Sequence, residues 1–309
     1  MTASAADIDA AVAALRAGEL VALPTETVYG LGADASNPEA LRNVFALKGR
    51  PATHPLILHL PSVACLSEWA IDVPPHALRL AARFWPGPLT LVLRRAAHVS
   101  PVLTGGQDTL AVRVPAHPVA LALLAAFGGG IAAPSANRYG RVSPTRAEHV
   151  REEFPEGLLV LEGGDCEFGV ESTIVSLVGD APQLLRPGAI SREEIEKVLG
   201  LTLQAAAPGS APRVPGSTRQ HYAPRTPVEL VSRGQMQLAL EQAAARGEKV
   251  LGLPCPEGTT VARYSRALYA ELRRLDKQGA ERILVESVPL ESVWDAVRDR
   301  LARAAATFS

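Results

Sequence analysis

The stretch "AAAPGSAPRVPGSTRQHYAPRTP", residues 205–227, decides how the chain divides. It is rich in Pro, Ala, Gly and Ser and has no sustained apolar period, so it reads as a stiffened linker rather than part of a core. A plain spacer has no chemical use for Arg219, His221 and Tyr222 together. The same segment is therefore a candidate lid over a site lying next to it. Working outward gives three parts: an α/β unit over residues 1–200, a Pro-rich linker or lid over 201–227, and a second α/β unit over 228–309. A chain of 309 residues suits two such units better than one core.

Downstream of the linker, "PVELVS", "KVLGLP" and "RILVESV" alternate with helical patterns over 235–246, 263–278 and 291–306. This β-α-β-α-β-α series predicts a small Rossmann-like three-stranded parallel sheet with covering helices. No GxGxxG follows its first strand, so the pattern alone licenses no nucleotide site there. Upstream, Asp7 is positioned to cap a helix over 8–17, and "LVALP" follows as a buried strand. Helices over 38–47, 75–84, 117–127 and 192–199 alternate with apolar strand patterns, and two of the last strand candidates are close enough in sequence for an antiparallel hairpin. The expectation is α/β: a twisted mixed sheet in the first unit and the small parallel sheet in the second.

Composition removes several classes of function. With 47% hydrophobic and 20% charged residues the chain is a folded one, and no apolar run approaches the roughly 20 residues that cross a bilayer. The first twenty residues lack a basic leader and an uninterrupted apolar stretch, so the expected compartment is the cytoplasm, with no membrane partner. Cys65, Cys166 and Cys255 are far apart and outside any CxxC spacing, which argues for reduced, structural thiols rather than disulfides or zinc. A net charge of -1 gives no global pull on a polyanion, so an anion site has to be a local cluster. Only Lys48, Lys197, Lys249 and Lys277 are lysines among 31 basic residues. Lys48 stands out, because in a chain that otherwise uses arginine its compact ammonium suggests a specific task.

No Walker loop, HExxH, GxSxG or metal-ligand cluster is present in the sequence. What remains are polar segments where strands end, the usual ligand side of open α/β sheets. "PTETVYGLG" at 24–32 supplies Thr25, Glu26, Thr27 and Tyr29 with two glycines that let backbone approach a ligand, though it also fits an ordinary strand-to-helix connection with Thr27 as cap. "KGRP" at 48–51 puts Lys48 and Arg50 at a helix end, where they either complement the helix dipole or bind a phosphate chain. "APSANRYGRVSPT" at 133–145 follows a buried strand with Ser135, Asn137 and Ser143 among Arg138, Arg141 and Arg146, a donor density that suits an anion and equally a solvated basic loop. Arg113 in "AVRVP" and Arg186 in "LLRPG" fall inside apolar strand patterns, where a charge either faces solvent or is aimed at a partner in a cleft.

Taken in order, "PTETVYGLG", "KGRPATHPLI", "WPGPLT", "VRVP", "APSAN", "GVESTIV" and "RPGAI" resemble the YrdC family of threonylcarbamoyl-AMP synthases over roughly residues 8–199. The "HYAP" linker and the trailing unit look like the longer, two-domain version. The resemblance implies a concave, positively lined cavity in which L-threonine, bicarbonate and ATP become threonylcarbamoyl-adenylate and pyrophosphate, the first step in modifying an adenosine of certain tRNAs. It implies Mg2+ with ATP and a downstream threonylcarbamoyl transferase complex as recipient. Carried over by position, it implies Lys48, Arg50, Ser135 and Asn137 as the catalytic set. It implies Thr25, His59, Arg113 and Ser172, with Ser135, as a threonine pocket. Thr109, Ser143, Arg186 and Tyr222 are implied as nucleotide contacts beside Lys48, Arg50 and Asn137, and His54 receives no role. No covalent intermediate is required, which fits the missing nucleophile.

Two other classes stay open at this stage. Arg138, Arg141 and Arg146 suit weak RNA binding, which falls steeply with salt. A carbamoyl-transfer module of the hydrogenase-maturation type shares the implied fold, but the Cys-rich zinc segments expected beside it are missing.

Overall fold

The computed structural model describes residues 2–154, 156–205, 211–216 and 221–306. Its strands are β1 Val21–Leu23, β2 Gly30–Asp34, β3 Ile57–His59, β4 Ala70–Ile71, β5 Leu89–Arg95, β6 Thr109–Arg113, β7 Ile131–Ala132, β8 Leu159–Val160, β9 Thr173–Ser176, β10 Gln183–Arg186 and β11 Gln204–Ala205, followed by β12 Val228–Val231, β13 Val250–Leu253 and β14 Arg282–Glu286. Among the described residues the first eleven form one mixed sheet in the order β11-β10-β9-β5-β6-β3-β7-β2-β1-β8, with β4 on β5. The last three form a separate parallel sheet in the order β12-β14-β13.

Period-2 patterning decides which face of the large sheet is core. Leu58, Leu91, Val112 and Val175 point to one side, against helices that include Pro38–Lys48, Pro75–Phe84 and Arg192–Leu199. Their neighbours Ile57, Val92, Ala111 and Ile174 point to the other side, where Val214 of the linker covers them. The linker is thus a strap laid across the sheet: Arg213 exchanges backbone hydrogen bonds with the Gln107 side chain at 2.7 and 3.1 Å, and Ala223 bridges Arg141. Arg219 lies outside the described residues.

Two local expectations change. Helix Ala5–Arg16 is capped by Ser4, with Asp7 three residues on completing a capping box, because the serine hydroxyl reaches the Asp7 amide while the Asp7 carboxylate returns to Ser4. "PTETVYGLG" joins two antiparallel strands, β1 and β2, rather than a strand and a helix, since Thr25 closes its own turn through the Val28 carbonyl at 2.6 Å. None of the described helices is long and apolar enough to cross a membrane.

The second unit has its own core, built on Tyr264, Leu268, Leu272, Ile283, Val285 and Val297, and that core continues into the first unit through Val28 and Val142. Helix Val261–Asp276 approaches so closely that a Cβ on Gly169 would lie 2.5 Å from the Arg266 Cα. The two units meet across packed backbone.

Candidate active site

On the strap-covered face of the sheet, alternation places Ile57 and His59 on β3 beside Ala111 and Arg113 on β6, with His59 directly opposite Arg113. The cleft above them encloses about 500 Å³, its mouth included. Eight of the residues to which the resemblance gives a site role line it: Thr25, Arg50, His59, Arg113, Ser135, Ser172, Arg186 and Tyr222. Apart from His59 on β3, they come from seven of the motifs quoted from the sequence. That convergence is a product of the sheet order, which brings β2, β3, β6 and the head of β9 to one side.

Each of the three cavity arginines is buried and tied down. Arg113 donates to Glu26 at 2.6 Å, to Thr27 Oγ1 at 3.0 Å and to the Gly87 carbonyl at 3.1 Å. Arg186 donates to the Ser172 carbonyl at 2.9 Å and to the Pro215 carbonyl of the strap at 2.9 Å. Arg50 donates to the Pro55 carbonyl at 2.8 Å, and its Nε has no partner among the described residues. Burial lowers the Arg50 guanidinium to about 10, which leaves it charged at neutral pH. Burial, reinforced by Arg113, also pulls His59 down to about 3, so it is a neutral imidazole. His221 falls to about 3, chiefly through burial. Other buried atoms without partners belong to the same neighbourhood: Asn137 Oδ1, His221 Nδ1 and the Tyr222 hydroxyl. Unpaired buried polar atoms are costly, and a polar ligand in the cleft is what would satisfy those of Arg50, His221 and Tyr222, which line it.

Four expected site residues do not line the cleft. Lys48 is 2% exposed and donates to the carbonyls of Ser135 and Asn137, so its ammonium holds the loop from below. Burial, then the nearby Arg50 charge, keep it well below the usual lysine range. Asn137 turns its amide into that same loop, donating to the Arg138 and Arg141 carbonyls at 2.7 and 2.9 Å. Ser143, implied as a nucleotide contact, donates its hydroxyl to Glu171 at 2.6 Å, and helix Ala147–Glu153 begins only after Arg146. Thr109 opens β6 opposite Arg94, at the other end of the strand from Arg113. Tyr29 braces the Gly163–Gly164 loop through its hydroxyl. His54 meets Tyr139 edge to face, and Tyr139 in turn meets His221. Of the arginines behind the RNA expectation, Arg138 donates to the Leu47 carbonyl and lies over Phe154, and Arg146 pairs with Asp165.

Sequence reasoning gave no role to Glu171, a carboxylate of the cleft wall. Glu171 lines the cleft, and besides Ser143 it accepts from Tyr269 at 3.0 Å and from Arg300 at 2.7 Å, both belonging to the second unit. Burial alone would raise its pKa, but Arg300, then Arg186 and the Ser143 hydroxyl more than offset this and bring it to about 2. "GVESTIV" contains Glu171, yet nothing local in helices Val261–Asp276 or Asp295–Ala305 singles out Tyr269 or Arg300.

A family model described as "Telomere recombination", for Sua5, YciO and YrdC, matches residues 13–188. The chain belongs to the Sua5/YciO/YrdC family. A second model, "Threonylcarbamoyl-AMP synthase, C-terminal domain", matches residues 190–306, so the family's two-part form spans the strap and the small sheet as well. Among relatives, the threonylcarbamoyl-AMP synthase of Pyrococcus abyssi is 43% identical, the match covering 94% of this chain and 91% of that one. The synthase of Bacillus subtilis is 39% identical over 96% of this chain and 92% of its own. The crystal structure of P. abyssi Sua5 complexed with L-threonine is similar at a TM-score of 0.90 and 41% identity, covering 96% of this chain and 94% of that chain.

Proposed function

We propose that this chain is an L-threonylcarbamoyladenylate synthase, a nucleotidyltransferase that joins L-threonine, bicarbonate and ATP and releases pyrophosphate. The observation that carries the reading is one cleft holding three buried arginines and a neutral histidine among short hydroxyl donors, in a chain alike along nearly its whole length to enzymes of that name. The chemistry needs no protein nucleophile. The threonine amine takes up bicarbonate as a carbamate with loss of water; a carbamate oxygen then attacks the α-phosphorus, and the bond from that phosphorus to the α–β bridging oxygen breaks, the oxygen leaving with the electron pair as part of pyrophosphate. Such displacement is served by positioning and by fixed positive charge around the phosphates.

In this reading Arg50 and Arg186 carry the phosphates, with Tyr222 at the nucleotide. Thr25, His59, Arg113, Ser135 and Ser172 form the threonine pocket, where neutral His59 does not compete with Arg113 for the substrate carboxylate. Lys48 acts through the Ser135–Asn137 loop, and Thr109 and Ser143 bear on the nucleotide at one remove. Mg2+ would come with ATP. Glu171, the carboxylate that lines the cleft, is tied to Arg300, so the ion's ligands would be phosphate oxygens and water, as is usual for this metal. A tRNA-modifying transferase in the cytoplasm would consume the adenylate.

Incubation with radiolabelled ATP tests the proposal: pyrophosphate should appear only when threonine and bicarbonate are both present. Release indifferent to threonine would sink it.

A further inference from the structure

We propose that Arg300 and Tyr269, both in the second unit, are positioning residues for the reaction, holding Glu171 and the strap residue Tyr222 in their places at the cleft wall. The proposal rests on the synthase reading for its assay and on four independent contacts for its geometry. Tyr269 and Arg300 converge on one oxygen of Glu171, at 3.0 and 2.7 Å. The same two side chains bracket Tyr222: its ring stacks on Tyr269 at 5.9 Å with 22° between planes, and the Arg300 guanidinium lies 5.0 Å over it. Tyr222 and Glu171 both line the cleft, whereas Tyr269 and Arg300 do not.

The backbone at Tyr222 shows why a seat is needed. Its φ of 63° is left-handed, a conformation that costs a bulky residue and persists only where the surroundings enforce it. The ring also passes so close to Gly216 that a Cβ there would lie 2.1 Å from the Tyr222 hydroxyl, and Arg186 grips the preceding Pro215 carbonyl. Among the described residues the ring stacked on Tyr222 is that of Tyr269. Arg300, on helix Asp295–Ala305, is itself fixed by the Pro187 carbonyl at 3.0 Å and Asp299 at 2.8 Å, while Tyr269 is carried on helix Val261–Asp276, so the clamp is built from two helices of the second unit. The second unit therefore braces from behind the wall of a cleft whose lining residues come from the first unit and the strap.

Tyr269→Phe keeps the stacked ring and loses only the hydrogen bond to Glu171; Arg300→Met loses the ion pair and the cation over Tyr222. Tyr264→Phe, in the second unit's core against Trp294, is the control. Each full-length variant is compared for thermal midpoint, for threonine binding by calorimetry, and for kcat and KM of pyrophosphate release. Expected for Arg300→Met is a kcat at least tenfold lower, for Tyr269→Phe a threefold or larger fall, and for both a threonine Kd within twofold of the parent, because the pocket lies on the first unit. Tyr264→Phe should keep the parent kcat. A folded Tyr269→Phe protein with unchanged kcat overturns the proposal, as does a kcat loss in Tyr264→Phe equal to that of Tyr269→Phe. A parent chain that binds no threonine overturns the synthase reading instead, so the two failures are distinguishable.

Discussion

Lys48 shows how far residue type alone can be read. Its rarity marked it, but the sequence gives no sign that its donors are used by the Ser135 and Asn137 carbonyls rather than by solvent or ligand. Removing a buried charged donor leaves those carbonyls unsatisfied, at about 1–3 kcal/mol each. Lys48→Met is therefore expected to lower kcat at least tenfold with the KM for ATP changed less than threefold, since the loop and not the phosphate loses its partner. A raised KM with kcat intact would show direct phosphate contact. A second consequence at this scale concerns acid. His59 and His221 are held near 3 against an ordinary 6.5, so between those values the unfolded chain binds protons that the folded one refuses. Their contribution is fully present above about pH 6.5 and is lost as pH falls toward 3, at about 1.4 kcal/mol per pH unit for each histidine. Urea unfolding followed from pH 6 to pH 4.5 should show this slope, and His221→Gln should reduce it by about one histidine's share.

At the scale of elements, what was legible is what repeats locally. Period 2 in "LILHL" and "TLAVRV" located β3 and β6 and put His59 and Arg113 on one face, while helical period and caps located most helices to within a few residues. The connection after β1 was misread, because Thr25 and Thr27 serve a turn as readily as a helix start. Long-range approach leaves no periodic trace. Gly169 is read from sequence as a loop glycine, yet it combines a φ of 72° with backbone of helix Val261–Asp276 where a Cβ would sit. Gly169→Ala thus incurs both left-handed strain and overpacking, together about 2–4 kcal/mol. Thermal unfolding should register that loss, and because the helix carries Tyr269, turnover should fall with it. An alanine variant with the parent midpoint would mean that the helix retreats freely.

For the whole molecule, the linker reading divides the chain into two units and a lid, but it gives no sign that side chains of the second unit brace the site. Arg300 lies on a helix whose sequence, "DAVRDRLARAA", reads as ordinary amphipathic surface, yet the residue is 1% exposed. Only the docked arrangement turns it toward Glu171, so no local pattern could have revealed it. Cutting the chain before Pro215 should accordingly abolish nearly all threonine-dependent pyrophosphate release, since Tyr222, Tyr269 and Arg300 leave together. How strongly the units are joined through this pair is measurable without cutting. Glu171→Gln leaves Arg300 buried with Asp299 as its remaining carboxylate, and Arg300→Met leaves Glu171 buried with hydroxyl donors alone. Breaking a buried pair from one side costs about 3–5 kcal/mol, whereas replacing both members costs far less than the sum. The Glu171→Gln/Arg300→Met double variant should therefore be more stable in urea than additivity predicts, by about 2 kcal/mol or more. Additive losses would mean that the two units fold around Glu171 without needing Arg300 to neutralise it.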